Sequence, residues 1–196
     1  MGRYIDLDQL KVYCANDMDT EDDAFLEAAL LAAESWIDQF CARRFDVAVA
    51  ATARKFAVPE DDDGDELLPI DDCTSVTSVV NDGVTITGYE LDPINGIDAS
   101  GLAVPYTGIW LTSGAWMASS SSRFPVTVTA TWGWPAIPDA VTQAALVLAR
   151  DQVLARRSFG SGYVAVTSDL GLRAGENRQV TSMLAKFRRA EAWGIA

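Results

Sequence analysis

Val126-Thr127-Val128-Thr129-Ala130-Thr131-Trp132-Gly133-Trp134-Pro135, continuing through Pro138-Asp139 to Arg156-Arg157, decides the fold because its period changes in mid-run. Val126, Val128, Ala130 and Trp132 alternate with Thr127, Thr129 and Thr131, the two-residue period of a half-buried strand. Trp132-Gly133-Trp134-Pro135 breaks that strand, and Pro138 with Asp139 marks a helix start. Val141, Ala144, Ala145, Leu148 and Ala149 then form a helical stripe, closed by Arg156-Arg157 where cations suit the helix dipole. A β module is thus joined to a helical core at a tryptophan-rich corner. Nothing in the run performs chemistry, and it reads as a docking part.

Working outward, the 196 residues fit one domain, or one domain with an insertion. Hydrophobic residues make up 49% and charged residues 22%, ordinary for a soluble globular chain. No apolar run approaches the roughly 18 residues that span a bilayer, and the N-terminus lacks a basic-then-apolar signal. A membrane partner is therefore not expected, and the chain is expected to stay inside the cell that makes it. Cys14, Cys41 and Cys73 lack a CxxC spacing and read as buried free thiols. With no histidine in the chain, Ser-His and Cys-His pairs, an imidazole base and the usual zinc or non-haem iron sites are excluded. Carboxylates acting with a metal are the main enzymatic route left.

The net charge of −13 is lopsided. Residues 1–100 hold 23 acids and 6 bases, a net −17; residues 101–196 hold 5 acids and 9 bases, a net +4. Such a polar chain prefers one orientation towards its partners. It should bind nucleic acid poorly overall, because that binding is driven by phosphate neutralisation.

Asp6 with Gln9 predicts a capping box for a helix over Leu7–Ala15. Thr20 with Asp23 predicts a second helix running to about Cys41, with Phe25, Ala29, Ala32, Trp36 and Phe40 in one stripe widened by Leu26, Leu30, Ala33 and Ile37. Short strands are expected at Arg54–Val58, Glu66–Ile70, Val76–Val80, Val84–Leu91, Gly108–Thr112 and from Val126. Asn81-Asp82-Gly83 signals a hairpin between the third and fourth. Asn177 or Thr181 starts a last helix. Its narrow stripe of Val180, Leu184 and Phe187, beside Lys186, Arg188 and Arg189, suits a partner's groove better than a self-contained core.

Three constellations invite sharper readings. Asp61, Asp63 and Asp65 alternate as in a calcium loop, but Glu66 and Asp72 stand where an EF-hand wants glycine and glutamate. Asp61, Asp62, Asp63 and Asp65 are better read as a solvated acidic loop, or as a lining that repels passing DNA phosphates. Gly160-Ser161-Gly162-Tyr163-Val164-Ala165 matches a loose GxGxxA, but it follows a helix instead of opening one, so it reads as a linker. Trp110, Trp116, Trp132 and Trp134 read as core or subunit interface before a stacking platform. No cofactor is expected.

Three stretches resemble the phage head–tail connector family, the adaptor or head-completion proteins beneath the portal. Trp36-Ile37-Asp38-Gln39-Phe40-Cys41-Ala42-Arg43-Arg44-Phe45 resembles the end of that family's long second helix. Leu67-Leu68-Pro69-Ile70-Asp71-Asp72 with Val76-Thr77-Ser78-Val79 resembles the strand pair of its longer members, and Thr129–Pro135 with the helix to Arg157 resembles its incoming strand and third helix. The resemblance implies a non-catalytic virion protein at the portal vertex, assembled in the host cytoplasm. It implies a homo-oligomeric ring, typically twelvefold, that binds the portal protein, extends the DNA channel and receives a stopper or tail protein. The portal-binding residues would be Val180, Leu184, Lys186, Phe187, Arg188, Arg189 and Trp193. A tail-side completion protein and a calcium- or metal-dependent binding module are the alternatives.

The expected fold is therefore α+β, a small helical bundle of three to four helices with an inserted antiparallel β module. The expected division is N-terminal helices over 1–53, the β module over 54–134, and C-terminal helices with the portal-docking tail over 135–196.

Overall fold

The computed structural model describes residues 3–14, 23–58, 67–99, 101–160 and 177–189, with side chains in the fourth stretch described as far as 155. The chain divides into a helical unit, Met1–Phe45 with Ile137–Ala196, and a β unit, Asp46–Ala136. The fold is α+β, with four α-helices and a six-stranded antiparallel sheet among the described residues.

In the helical unit, α1 (Leu7–Tyr13) starts at a full capping box: Asp6 accepts from the Gln9 amide at 2.7 Å, and the Gln9 side chain accepts from the Asp6 amide at 2.8 Å. The second helix, α2 (Asp23–Cys41), packs on α1 and on α3 (Asp139–Gly160). Its buried face is Leu26, Ala29, Leu30, Ala33 and Ile37, and α3 answers with Val141, Ala144, Ala145, Leu148, Ala149 and Val153. Small residues on both helices let the two backbones approach closely. The stripe through Phe25, Trp36 and Phe40 does not lie in this core; all three are half-buried, at the flank of α2. The reason is rotational: the branched and small residues one position along already fill the α2–α3 contact.

The last helix, α4 (Arg178–Leu184), is capped by Asn177, whose side-chain oxygen accepts from the Val180 amide at 3.2 Å. It packs on α3 and runs into a 3-10 turn at Ala185–Phe187. The third helix continues past Arg156-Arg157 to Gly160, so those arginines do not close it.

In the β unit the strands are β1 (Ala51–Phe56), β2 (Leu67–Asn81), β3 (Val84–Ile86), β4 (Tyr89–Asp92), β5 (Tyr106–Leu111) and β6 (Val126–Trp132). The sheet order is β1-β6-β2-β5-β4, with β3 pairing the far half of β2. The spacing predicts two strands where β2 is one strand of 15 residues. Its register shifts against β5 between Pro69 and Cys73, and against β6 between Cys73 and Ser75 and between Val76 and Ser78. Such bulges re-aim side chains without ending the strand. They accommodate Asp71 and Asp72 in mid-strand, where Arg54 pairs with Asp71 at 2.7 Å and the Trp134 indole donates to Asp72 at 2.9 Å.

Conversely, the single strand expected over Val84–Leu91 breaks at Thr87-Gly88, because β3 pairs β2 while β4 pairs β5. The hairpin between β2 and β3 is as its sequence dictates: Asp82 (φ 47°) and Gly83 (φ 84°) both take positive φ, as a primed turn requires. Leu68, Ile70, Val79, Ile109, Val126, Val128, Ala130 and Trp132 form the core of this unit. At the corner, Gly133 adopts φ 130°, and the Trp134 amide donates to the Asp46 carbonyl at 2.8 Å while the Ala48 amide donates back at 3.1 Å. Trp134 is 1% exposed.

Candidate assembly surfaces

The end of α2 organises one end of the helical unit. Ala42 takes a left-handed conformation (φ 51°), the Arg43 amide donates to the Asp38 carbonyl at 3.2 Å, and the Ala42 amide donates to the Gln39 carbonyl at 3.3 Å. This is a Schellman closure with alanine where glycine is usual. It turns the chain so that Phe45 re-enters the core. The Phe45 amide donates to the Tyr4 hydroxyl at 3.0 Å, and that hydroxyl donates to the Asp38 carboxylate. Burial first, then the Asp38 hydrogen bond, pushes the Tyr4 pKa well above the ordinary tyrosine value. Arg3 pairs with Asp38 at 2.7 Å and lies 3.6 Å from Glu34, whose buried carboxylate accepts from the Tyr4 amide at 2.8 Å. The acidic side chains beneath α2's end therefore have partners.

The C-terminal segment returns to this place. Phe187 meets Phe45 edge-on, with ring centroids 5.7 Å apart, and the Arg189 amide donates to the Cys41 carbonyl at 2.9 Å. Val180 and Leu184 are fully buried and Phe187 is 4% exposed. The narrow stripe expected to fill a partner's groove instead completes the protein's own core. It is narrow because α4 is a flat cover on α3 and needs only one apolar edge. What α4 and its extension leave outside is polar and cationic: Lys186 and Arg188 are exposed and Arg189 is half-buried. Trp193 lies outside the described residues, as do Asp61, Asp62, Asp63 and Asp65 and the Gly-Ser stretch after Gly160.

A surface group that the helical periodicity assigned to the core is built here. Trp36 and Phe40, one turn apart on α2, stack at 5.0 Å with their planes 13° apart, and the Arg188 guanidinium sits 5.3 Å from the Phe40 centroid. The signal for it was the i, i+4 pair of large aromatics at the margin of an otherwise small-residue stripe. Its third member comes from a segment far along the chain, so no local pattern could have supplied it.

The thiols offer little chemistry. Cys41 is pushed up to about 11 by burial, partly offset by Arg43, and Cys73 up to about 12 by burial and by Asp72. Cys14, expected to be buried, is half-exposed because α1 ends one residue before it. No group of three or more metal-ligating side chains occurs among the described residues, and no helix among them is long and apolar enough to cross a membrane.

No protein-family model matches the sequence, and no curated protein matches it. Solved structures do match. One chain, in the neck of an empty gene transfer agent particle computed with C6 symmetry, superposes with a TM-score of 0.57 at 17% identity, covering 99% of this chain and 94% of that one. Another, in the virion of a native gene transfer agent particle, gives a TM-score of 0.52 at 16% identity over 97% and 92%. At this identity the likeness is one of fold, and it spans both units.

Proposed function

We propose that this chain is a structural subunit of the neck of a phage-like particle. In this reading it is a head–tail connector whose copies form a ring beneath the portal, extend the DNA channel and receive a stopper or tail protein. The observation that carries the reading is the fold likeness, near full length in both directions, to a chain of a particle neck computed with C6 symmetry. The absence of histidine in the sequence and the raised pKa values of the two buried thiols fit a structural, non-catalytic role.

Contact with the portal falls to Lys186, Arg189 and the segment reaching Trp193. Val180, Leu184 and Phe187 support that contact from inside the helical unit, and Arg188 flanks it. The acidic stretch Asp61–Asp65 lines the channel and keeps a passing duplex from adhering, since carboxylates repel phosphates. The protein would assemble in the host cytoplasm and reside in the virion.

The test is to mix the purified chain with the portal ring of its own virus and weigh the complex, alongside a truncation ending at Arg189. Binding by the full chain, weakened in the truncation, supports a portal adaptor held by its tail. Binding to tail components alone moves the protein to the tail side. Binding to neither overturns the reading.

A further inference from the structure

We infer that the outer edge of β1 in one copy pairs with the outer edge of β4 in the next copy, setting Lys55 against Glu90. The inference rests on the ring reading above and names the contact between its copies. The strand order β1-β6-β2-β5-β4 ends at these two strands, and no strand among the described residues lies beyond either. Such edges carry rows of backbone donors and acceptors that a further strand can take up. β1 is bare along its length: Ala51 to Lys55 are all exposed, and Val49 just before it is 92% exposed. Its one device against indiscriminate pairing is charge, and a lysine on an edge repels another β1 while admitting an acidic strand.

The faces of the two edges match. Phe56 packs on the core of the β unit, as do Tyr89 and Leu91. Alternation therefore places Lys55 and Glu90 on the opposite face. Their sheet partners agree: Lys55 stands across from Thr127, and Glu90 across from exposed Trp110. When two sheets join edge to edge with their cores on one side, Lys55 and Glu90 share the outer face, while Tyr89 and Leu91 extend the apolar layer past Phe56. Both charged side chains are exposed, and neither forms an ion pair among the described residues. Neighbouring Arg54 is held by Asp71 and lies over the Trp132 ring at 4.6 Å, so the cation this edge offers is Lys55. Half-buried Asp92 adds a second carboxylate to β4. Pairing β1 with β1, or β4 with β4, would set like charges together and is disfavoured. Opposite ends of one sheet meeting is a heterologous contact, the class whose repetition generates rings.

The experiment treats neck assemblies, built from mixed light and heavy isotope-labelled chain, with a zero-length carbodiimide that joins an amine to a touching carboxylate. The chain has three lysines, so few links need assigning. The expected product joins Lys55 of one copy to Glu90 or Asp92 of another. In parallel, Lys55→Glu alone or Glu90→Lys alone is expected to lower incorporation by roughly fivefold or more, because like charges then face each other. The double swap, Lys55→Glu with Glu90→Lys, is expected to restore it, with the melting temperature of the free chain unchanged in all three variants. Linking of Lys55 only to a different protein overturns the choice of occupant. Single reversals that incorporate at the wild-type level, or a double swap that does not recover, overturn the pairing. The number of copies per neck separates this failure from that of the reading beneath it: several copies leave the ring standing, whereas a single copy removes both.

Discussion

The Arg189 backbone amide donates a 2.9 Å hydrogen bond to the carbonyl of Cys41, fastening the segment after α4 to the C-terminal end of α2. With Phe187 edge-on to Phe45 just beside it, the last described turn is part of the helical core and not an appendage.

A truncation after Asn177 should therefore unfold the helical unit, not merely disarm it. It removes Val180, Leu184 and Phe187 from burial, at about 1.5–3 kcal/mol each, a sum that approaches the total stability of a typical domain, about 5–15 kcal/mol. A truncation after Arg189 keeps all three side chains and should retain the cooperative melt of the helical unit. Circular dichroism melts of both decide it; equal melting of the shorter one would refute the burial argument.

Trp134 ties the corner of the β unit through its indole bond to Asp72. Trp134→Phe removes that donor to a buried carboxylate and leaves a void, so a loss of about 2–4 kcal/mol is expected. Asp72→Asn keeps an acceptor oxygen and should cost about 1 kcal/mol. The midpoints of urea unfolding test the order; a more damaging Asp72→Asn would show that the indole bond is not what matters.

Ala42 holds a left-handed conformation at φ 51°, which costs an L-residue about 1–2 kcal/mol. Ala42→Gly relieves that strain while adding freedom to the unfolded chain. A net stabilisation of about 0.5–1 kcal/mol is expected. An unchanged or lower melting temperature would contradict it.

The thiols set a pH limit. Folding raises Cys41 to about 11 and Cys73 to about 12 from an ordinary 9.0, chiefly because burial disfavours the thiolate. The stability this gives is complete below the unfolded value and is lost as pH climbs through the folded values, since the unfolded chain then releases protons that the folded chain keeps. Stability should fall from about pH 9 towards pH 12, less steeply in a Cys41→Val, Cys73→Val variant. At pH 8 a thiol reagent should label half-exposed Cys14 alone until denaturant is added. Rapid labelling of a second thiol in the native protein would be inconsistent with this.

Much of the fold was legible because local rules decided it. The Asp6–Gln9 box, the Asn81-Asp82-Gly83 turn and the alternation from Val126 to Trp132 each use interactions a few residues apart, and each is found as read. Legibility failed where a partner distant in sequence overrode the local pattern. Asp71 and Asp72 interrupt an apolar run, and partners distant in sequence, Arg54 and Trp134, hold them in a continuous strand.

The candidate assembly surface divides in the same way. Sequence alone determined that the chain is acidic in its first hundred residues and basic at its end, that it lacks imidazole chemistry, and that an alternating strand ending at Trp132 is followed along the chain by a helical stripe. Only the tertiary structure decided which face of each element is covered. It buried Val180, Leu184 and Phe187, which the pattern offered to a partner, and brought out Trp36 and Phe40, which the pattern assigned to the core. The physical reason is that periodicity fixes a stripe's width and phase, whereas burial depends on the element that lies against it. For α4 that element is α3, and for the flank of α2 it is Arg188, nearly 150 positions further along the chain.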